Sequence, residues 1–473
     1  MREKCGVIAA KSYSGAGVSW TIVNGLRALQ HRGQEAWGIS LSSGWIFKRS
    51  GLVSESIKEF RERLSNSDGC AGIGHVRYST VGGQEHIQPI DVGPFRIAHN
   101  GTIANYRSLM NGVLSSIGEH PSDTLVAGLK LKSILSEKGY DWAEALREFS
   151  KMVAGSFCFT LDLKSGQVMA IRDPWGYRPL CIGHVEESDT YVVASESCAL
   201  DLVGAKLLRD VRPGEIVYLG EDGPEFIQFE ENRVRRTCAF EYTYFAHPSS
   251  VIDGVSVYGV RKRVGMLLAE RYPIDGDVVI PVPDSARPAA LGYAEKLGIP
   301  FEEGLIKDRY SRKGGWRSFI EPEDSSRREI NSWMFPVKYS VYGKDVILVD
   351  DSIVRGVSST EIVRTLRRAG AKSINLVVTF PPIMYPCFMG IDFPEPQELV
   401  AHRATDGSEM SLEVVGAKVA KMIGADRVVY NDPLTLAEAI EKELGELCIT
   451  CHTGEYYPLR GVPLGISRKV LKG

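Results

Sequence analysis

The chain has 473 residues, 44% hydrophobic and 24% charged, a globular composition with room for roughly two to four domains. Its 56 basic and 59 acidic residues leave a net charge of −3, which excludes a dedicated nucleic-acid or polybasic membrane-binding protein. Nine scattered cysteines, an odd number, exclude a secreted disulfide framework.

The opening Met-Arg-Glu-Lys-Cys leads into no apolar signal segment, so a cytoplasmic location is expected. Short, glycine-punctuated apolar runs at 69–78, 95–98, 157–161, 168–171 and 191–194 read as strands. Helical patterns interrupt them at 19–29 and from Ser122, where Leu125, Val126, Leu129 and Leu131 form a broad apolar face. This half predicts an α+β architecture with helices covering sheets. The charged stretch 230–236 reads as a connector. Beyond it come a strand at 278–282, a helix at 286–297 stopping at Gly298, and a strand at 346–349. A helix at 360–369, ended by Gly370, and a strand at 374–380 follow. That βαβ rhythm predicts a parallel sheet with crossover helices. The longest uncharged run, 373–391, holds Pro381, Pro382 and Pro386 and does not read as a membrane span.

The sharpest motif is Val346-Ile-Leu-Val-Asp350-Asp351-Ser352-Ile353-Val354-Arg355-Gly356-Val357-Ser358-Ser359-Thr360-Glu361. A buried strand delivers two adjacent carboxylates to a short loop, and a helix follows. Ser358 and Glu361 have capping-box spacing, which puts the helix start there. Free N–H groups at such a start suit a phosphate. The acidic pair suits a divalent cation or sugar hydroxyls. The motif resembles the phosphoribosyl diphosphate (PRPP) loop of type I phosphoribosyltransferases. The resemblance implies that Asp350 and Asp351 face the ribose hydroxyls and Mg2+. It also implies that the loop from Ser352 to Ser359 holds the 5-phosphate. Ser285, in Pro281-Val-Pro-Asp-Ser285, would be a further Mg2+ ligand. Residues 307–317 carry five basic side chains, beginning with Lys307, and one acid. Beside a phosphate loop they read as a lid that meets pyrophosphate and excludes water.

In the first half, Cys5-Gly6-Val7-Ile8 opens a strand-like run. A lone cysteine of this kind is usually a small core residue. Its companions are Gln30-His31-Arg32-Gly33-Gln34-Glu35, His75-Val76-Arg77-Tyr78-Ser79-Thr80, His99-Asn100-Gly101-Thr102 and Ser122-Asp123-Thr124. Singly, Asn100-Gly101 reads as a hairpin turn, Asp123 as a helix cap and the histidines as core residues. Together, and in this order, they resemble the class II (N-terminal-nucleophile) glutaminase domain. The resemblance implies removal of residues 1–4, leaving the α-amino group of Cys5 as base toward its own thiol. Arg77 would bind the glutamine carboxylate and Asp123 its ammonium. Asn100 and Gly101 would form the oxyanion hole, and Arg32 and Gly33 would line the pocket. Arg172-Asp173-Pro174, Gly176, Arg178-Pro179-Leu180 and Ala194-Ser195-Glu196-Ser197 match further and read as fold-holding segments.

Cys448-Ile-Thr-Cys451 joins Cys238 and Cys387 as four thiols from three segments, suited to tetrahedral zinc or a cubane iron–sulfur cluster. Spacing does not choose between them. The whole layout resembles the glutamine PRPP amidotransferases, and the four cysteines match the subgroup with a [4Fe–4S] cluster. Cys70, Cys158, Cys181 and Cys198 are then expected to be buried.

The resemblance implies an α+β class II glutaminase sandwich over 5–236. An α/β type I phosphoribosyltransferase domain with a parallel sheet would follow over 237–473. It also implies glutamine and PRPP as substrates, inhibition by purine nucleotides and a homo-oligomer, often a tetramer. Val357 stands where this family usually has Thr, and Trp37 replaces a small residue near the expected glutamine pocket. The lid is about four residues longer, at 313–316, and Met334-Phe335 replaces a Lys-Leu pair. A further insertion lies between 401 and 421. These departures leave a weakly catalytic sensor that binds PRPP or nucleotides as the alternative. The acidic loop argues against other class II amidotransferases.

Overall fold

The computed structural model describes residues 5–64, 67–78, 86–110, 121–231, 234–307, 334–391, 393 and 395–456. Its first half stacks two antiparallel sheets. In chain order the strands are β1 (Gly6–Ser12), β2 (Ala36–Leu41), β3 (Ile46–Ser50), β4 (Ala71–Arg77), β5 (Ile90–Asp91), β6 (Arg96–Ile103) and β7 (Gly155–Asp162). Then come β8 (Val168–Arg172), β9 (Cys181–Val185), β10 (Thr190–Ala194), β11 (Lys206–Asp210), β12 (Glu215–Leu219) and β13 (Pro224–Gln228). One sheet has the order β11-β9-β10-β1-β4-β2-β3, the other β13-β12-β8-β7-β6-β5.

Side-chain alternation along β1 builds the layers. Val7 and Ala9 face the second sheet and meet Ala98, Cys158, Ala170 and Val217. Ile8 and Ala10 face outward, onto Ile22, Val23 and Leu26 of the helix Ser19–Ala28. The second sheet's outer face, with Ile97, Phe157 and Phe159, is covered by Val126, Leu131, Leu146 and Phe149. These come from the helices Asp123–Glu137 and Trp142–Met152. The expected covered-sheet architecture is therefore a four-layer sandwich.

The second half has a four-stranded parallel sheet, Val278–Pro281, Asp345–Asp350, Ser373–Val378 and Arg427–Tyr430, paired in that order. Both faces are buried, as the continuous apolar strands require. Helices Val257–Arg271 and Arg287–Leu297 cover one face, and Val357–Arg368 and Leu412–Ile423 the other. Thr237–Cys238 pairs in parallel with Leu447–Cys448, so the two ends of this half meet. Its core takes in Ala104, Ala154 and Tyr177 of the first half. Among the described residues no helix is long and apolar enough to cross a membrane.

Three local expectations are corrected. Asn100 and Gly101 lie inside β6, not in a hairpin turn, because β6 runs on to Ile103 against β7. The helix from Ser122 is capped by Ser122, whose Oγ accepts the Leu125 N–H at 3.2 Å, so Asp123 is not the cap. The phosphate-loop helix starts at Val357, not Ser358, with Gly356 before it at φ +84°. Only glycine suits that left-handed position, and a Cβ there would press on Val400 Cγ2 at 3.1 Å.

Candidate functional sites

Cys5 is half-buried at the head of β1. Gly6 pairs with Val76 on β4, so one step further brings Cys5 beside Arg77. The second sheet presents Asn100 and Gly101 to the same end. Gly101 is fixed as glycine by contact, since a Cβ would lie 2.2 Å from Ser156 O and 2.6 Å from His99 Nε2. Asp123 sits at the other end of the pair of residues. Its carboxylate accepts the Ile103 N–H at 3.1 Å and the Thr124 N–H at 2.7 Å, and His99 Nδ1 lies 3.7 Å away. Thus Cys5, Arg77, Asn100, Gly101 and Asp123, from three strands and a helix start, gather at one end of the sandwich.

Ser195 binds this group together. Its Oγ accepts the Val7 N–H at 2.9 Å and lies 3.3 Å from Asn100 Nδ2, while Asn100 Oδ1 is buried with no partner among the described residues. A hydroxyl that already accepts has a proton to give. Turning the Asn100 amide over hands that proton to Oδ1 on the same heavy-atom positions. Sequence reading placed Ser195 among fold-holding residues; the only signal was its place in Ala194-Ser195-Glu196-Ser197. His75 is buried, and burial pushes its pKa down to about 3, so it is neutral.

The second site begins where Asp345–Asp350 leaves the parallel sheet. The hydroxyls of Ser285 and Ser352 donate to Asp351 at 2.6 and 2.7 Å, and the Asp351 N–H donates to Asp350 Oδ1 at 2.9 Å. Both carboxyls are pushed up by burial, and Asp350 further by the charge of Asp351. Ser285 and the acidic pair meet because their strands are neighbours in the sheet. The loop beyond is braced from behind by Val400 N–H donating to Val354 O at 2.8 Å and by Arg355 donating to Glu398 at 2.6 Å. The stretch 401–421, where the sequence predicts an insertion, follows these bracing residues and takes in most of the helices Val400–Thr405 and Leu412–Ile423. Val357 opens the helix, so what it offers a phosphate is its backbone.

The four cysteines of the third constellation are buried and form no disulfide. Cys238 and Cys448 are partners in the parallel strand pair, and Cys451 O accepts the N–H groups of Met384 and Tyr385. Cys387 Sγ accepts two backbone N–H groups, from Met389 at 3.3 Å and Ile391 at 3.4 Å. Burial pushes Cys448 up to about 11, and Cys387 adds to this. Among the described residues, no three His, Cys, Asp or Glu side chains stand close enough to hold a single ion.

Comparison with known proteins accords with both halves. A glutamine amidotransferase domain matches residues 75–202, and a phosphoribosyl transferase domain matches 259–407. The amidophosphoribosyltransferase of Methanocaldococcus jannaschii is 40% identical, over 96% of this chain and 97% of its own length. That of Bacillus subtilis is 37% identical over 96% and 94%. This chain belongs to the amidophosphoribosyltransferase family. The solved glutamine PRPP amidotransferase from B. subtilis, complexed with ADP and GMP, superposes with a TM-score of 0.81 at 36% identity. It covers 96% of this chain and 97% of the solved one. A second structure, described as the allosteric regulatory enzyme of purine biosynthesis, gives 0.82 at 36% identity over 96% of each chain.

Set in this amidophosphoribosyltransferase frame, several assignments change. Arg32 does not line a glutamine pocket. It is 1% exposed, and its guanidinium is spent on the Cys5 carbonyl, Glu196 and Glu241. Gly33 is fixed as glycine by packing: a Cβ there would lie 2.6 Å from the Val76 backbone, so it lets this loop close on β4. Trp37 is core. Its ring packs on Phe47 and Phe60, and its Nε1–H donates to Ser56 Oγ at 2.9 Å. Cys70 is half-buried, whereas Cys158, Cys181 and Cys198 are buried as expected. Ser79, Thr80 and all of the 307–317 lid except Lys307 lie outside the described residues, as do residues 1–4. Lys307 pairs with Met334 across a two-stranded ladder.

Proposed function

We propose that the two sites act in series. At the first, the Cys5 thiol attacks the side-chain amide carbon of glutamine. Asn100 and the Gly101 N–H hold the developing oxyanion, while Arg77 and Asp123 hold the amino-acid end. Ammonia leaves, and water hydrolyses the thioester to glutamate. At the second, ammonia attacks C1 of PRPP and displaces pyrophosphate, giving 5-phosphoribosylamine for purine synthesis. The loop from Ser352 through Ile353, Val354, Arg355, Gly356, Val357 and Ser358 to Ser359 holds the 5-phosphate, with Lys307 nearby. The observation that carries this reading is one chain presenting both a half-buried cysteine at the head of β1, one step from the Gly6–Val76 pair, and a buried Asp-Asp pair ahead of a helix start. The weakly catalytic alternative rests chiefly on the altered lid, which lies outside the described residues; of its other grounds, Trp37 is core packing.

Asp350, Asp351 and Ser285 suit Mg2+, since two adjacent buried carboxyls held up by each other and by burial gain from a divalent counter-charge. Bound there, the cation would neutralise the pyrophosphate. Cys238, Cys387, Cys448 and Cys451 suit a structural [4Fe–4S] cluster. The amide-to-sulfur hydrogen bonds at Cys387 favour a thiolate, as a cluster ligand requires. The ADP and GMP complex of the B. subtilis protein supports purine nucleotides as inhibitors here. A cytoplasmic homotetramer, processed to begin at Cys5, completes the reading.

Pyrophosphate release from PRPP tests it. Both glutamine and ammonia should support release. Cys5→Ala should abolish glutamine use and spare ammonia use; retained glutamine hydrolysis would refute the nucleophile. Iron and sulfide analysis should find about four of each per chain.

A further inference from the structure

The glutaminase half does not complete its own nucleophile site. Arg32 Nε–H donates to the Cys5 carbonyl at 3.1 Å, so the guanidinium holds the backbone of the residue that carries both thiol and α-amino group. The guanidinium itself is oriented from the other half. Its Nη2 donates to Glu241 Oε1 at 2.8 Å and its Nη1 to Glu241 Oε2 at 3.2 Å, while Glu196 takes the remaining face of Nη1. Phe245 lies beneath, 4.3 Å from the guanidinium carbon. Glu241 is 0% exposed and is shared with Arg178, whose Nη2 lies 2.7 Å away. A two-point fork between a planar guanidinium and a carboxylate sets direction as well as distance.

Glu241 stands three residues after Cys238 and opens the π-helical turn Glu241–Phe245. A second contact has the same origin. Gly390, three residues after Cys387, is at φ +99°, and a Cβ there would lie 3.5 Å from the Gly101 Cα. Ser156, whose carbonyl backs Gly101, donates its hydroxyl to Met389 O at 3.0 Å. The second half therefore presses on both the nucleophile's support and the oxyanion strand.

We propose that Glu241 is a positioning residue of glutamine hydrolysis, supplied by the phosphoribosyltransferase half and acting through Arg32 on the Cys5 backbone. This rests on Cys5 being the nucleophile. Misplacement of an attacking atom by a fraction of an ångström costs rate far more than binding. Loss of a supporting partner commonly costs about 10-fold or more.

The experiment is steady-state glutamine hydrolysis by the full-length, cluster-loaded protein carrying Glu241→Gln, Arg32→Lys or both. Glu241→Gln should lower kcat about 10-fold and leave KM for glutamine within about twofold. Ammonia-dependent pyrophosphate release should fall much less. Because the effect runs through Arg32, adding Glu241→Gln to Arg32→Lys should cost less than the product of the single losses. A kcat within twofold of the unsubstituted protein, or strictly multiplicative losses, would overturn the proposal. If Glu241→Gln does not fold, Glu241→Asp keeps the charge, shortens the arm and is read by the same two criteria. Cys5→Ala separates the failures. Hydrolysis surviving Cys5→Ala removes the nucleophile reading, whereas hydrolysis lost there but indifferent to Glu241 removes only this inference.

Discussion

Two pairs of buried carboxylates, one in each working region, have opposite surroundings. Glu196 and Glu241 meet cations the chain supplies: Arg32 reaches both, Arg178 reaches Glu241, and His31 lies 2.7 Å from Glu196. Burial works to raise Glu196, but His31 and Arg32 overcome it and hold the carboxyl well below its usual range. Asp350 and Asp351 instead meet hydroxyls and a backbone N–H, and they stay raised. A pair neutralised from within is architecture. The second pair keeps its burial cost and its mutual repulsion in the folded chain.

The sharpest way to break this contrast is Arg32→Met. It removes the cation that two buried carboxylates share, leaving Glu241 to Arg178 and Glu196 to His31, so stability should fall by about 3–5 kcal/mol, measured by denaturant unfolding. A loss below about 1 kcal/mol would show that Arg178 and His31 suffice. Asp351→Asn should do the reverse. Ammonia-dependent turnover of PRPP should drop on the order of 100-fold. The unfolding midpoint should not fall, since one member of a repelling pair is gone. A lower midpoint with normal turnover would make the Asp pair structural.

A third carboxylate sharpens the comparison at the junction. Asp253, from the second half, pairs with Arg172 of the first at 2.8 Å. Burial would raise it, but Arg172 pulls it from 3.8 to about 2. Because its folded pKa is depressed, its contribution is complete above about pH 4 and lost as pH falls to about 2. Asp253→Asn should therefore remove about 2 kcal/mol at pH 6 and nearly nothing at pH 2. The smallest expected effect is Ser195→Ala. It should lower kcat for glutamine about 10-fold, with KM unchanged, if its hydroxyl aims the Asn100 amide. A change in KM alone would place Ser195 in binding.

Much of the fold was legible because its cues are local. Alternating and continuous apolar runs marked the strands, and glycines such as Gly298 marked the ends of helices. The acidic loop was legible for the same reason, since strand, Asp350-Asp351, Gly356 and helix are consecutive. Misreadings came where burial and packing decide. Trp37 looked like a pocket residue beside a motif, yet its ring faces the outer core. Arg32 looked like a substrate contact, yet its partners come from positions 5, 196 and 241.

By itself, then, the sequence determined the candidate residues and the strands beside Cys5 and Asp350-Asp351, because neighbouring residues supply their immediate context. That Asn100-Gly101 lies inside a strand was decided by its pairing with β7. Only the tertiary structure decided who orients them. Ser195 reaches Asn100, Ser285 reaches Asp351 and Glu241 reaches Arg32 across long stretches of chain. A buried polar group must find a partner wherever the fold provides one, and periodicity along the chain carries no trace of that choice.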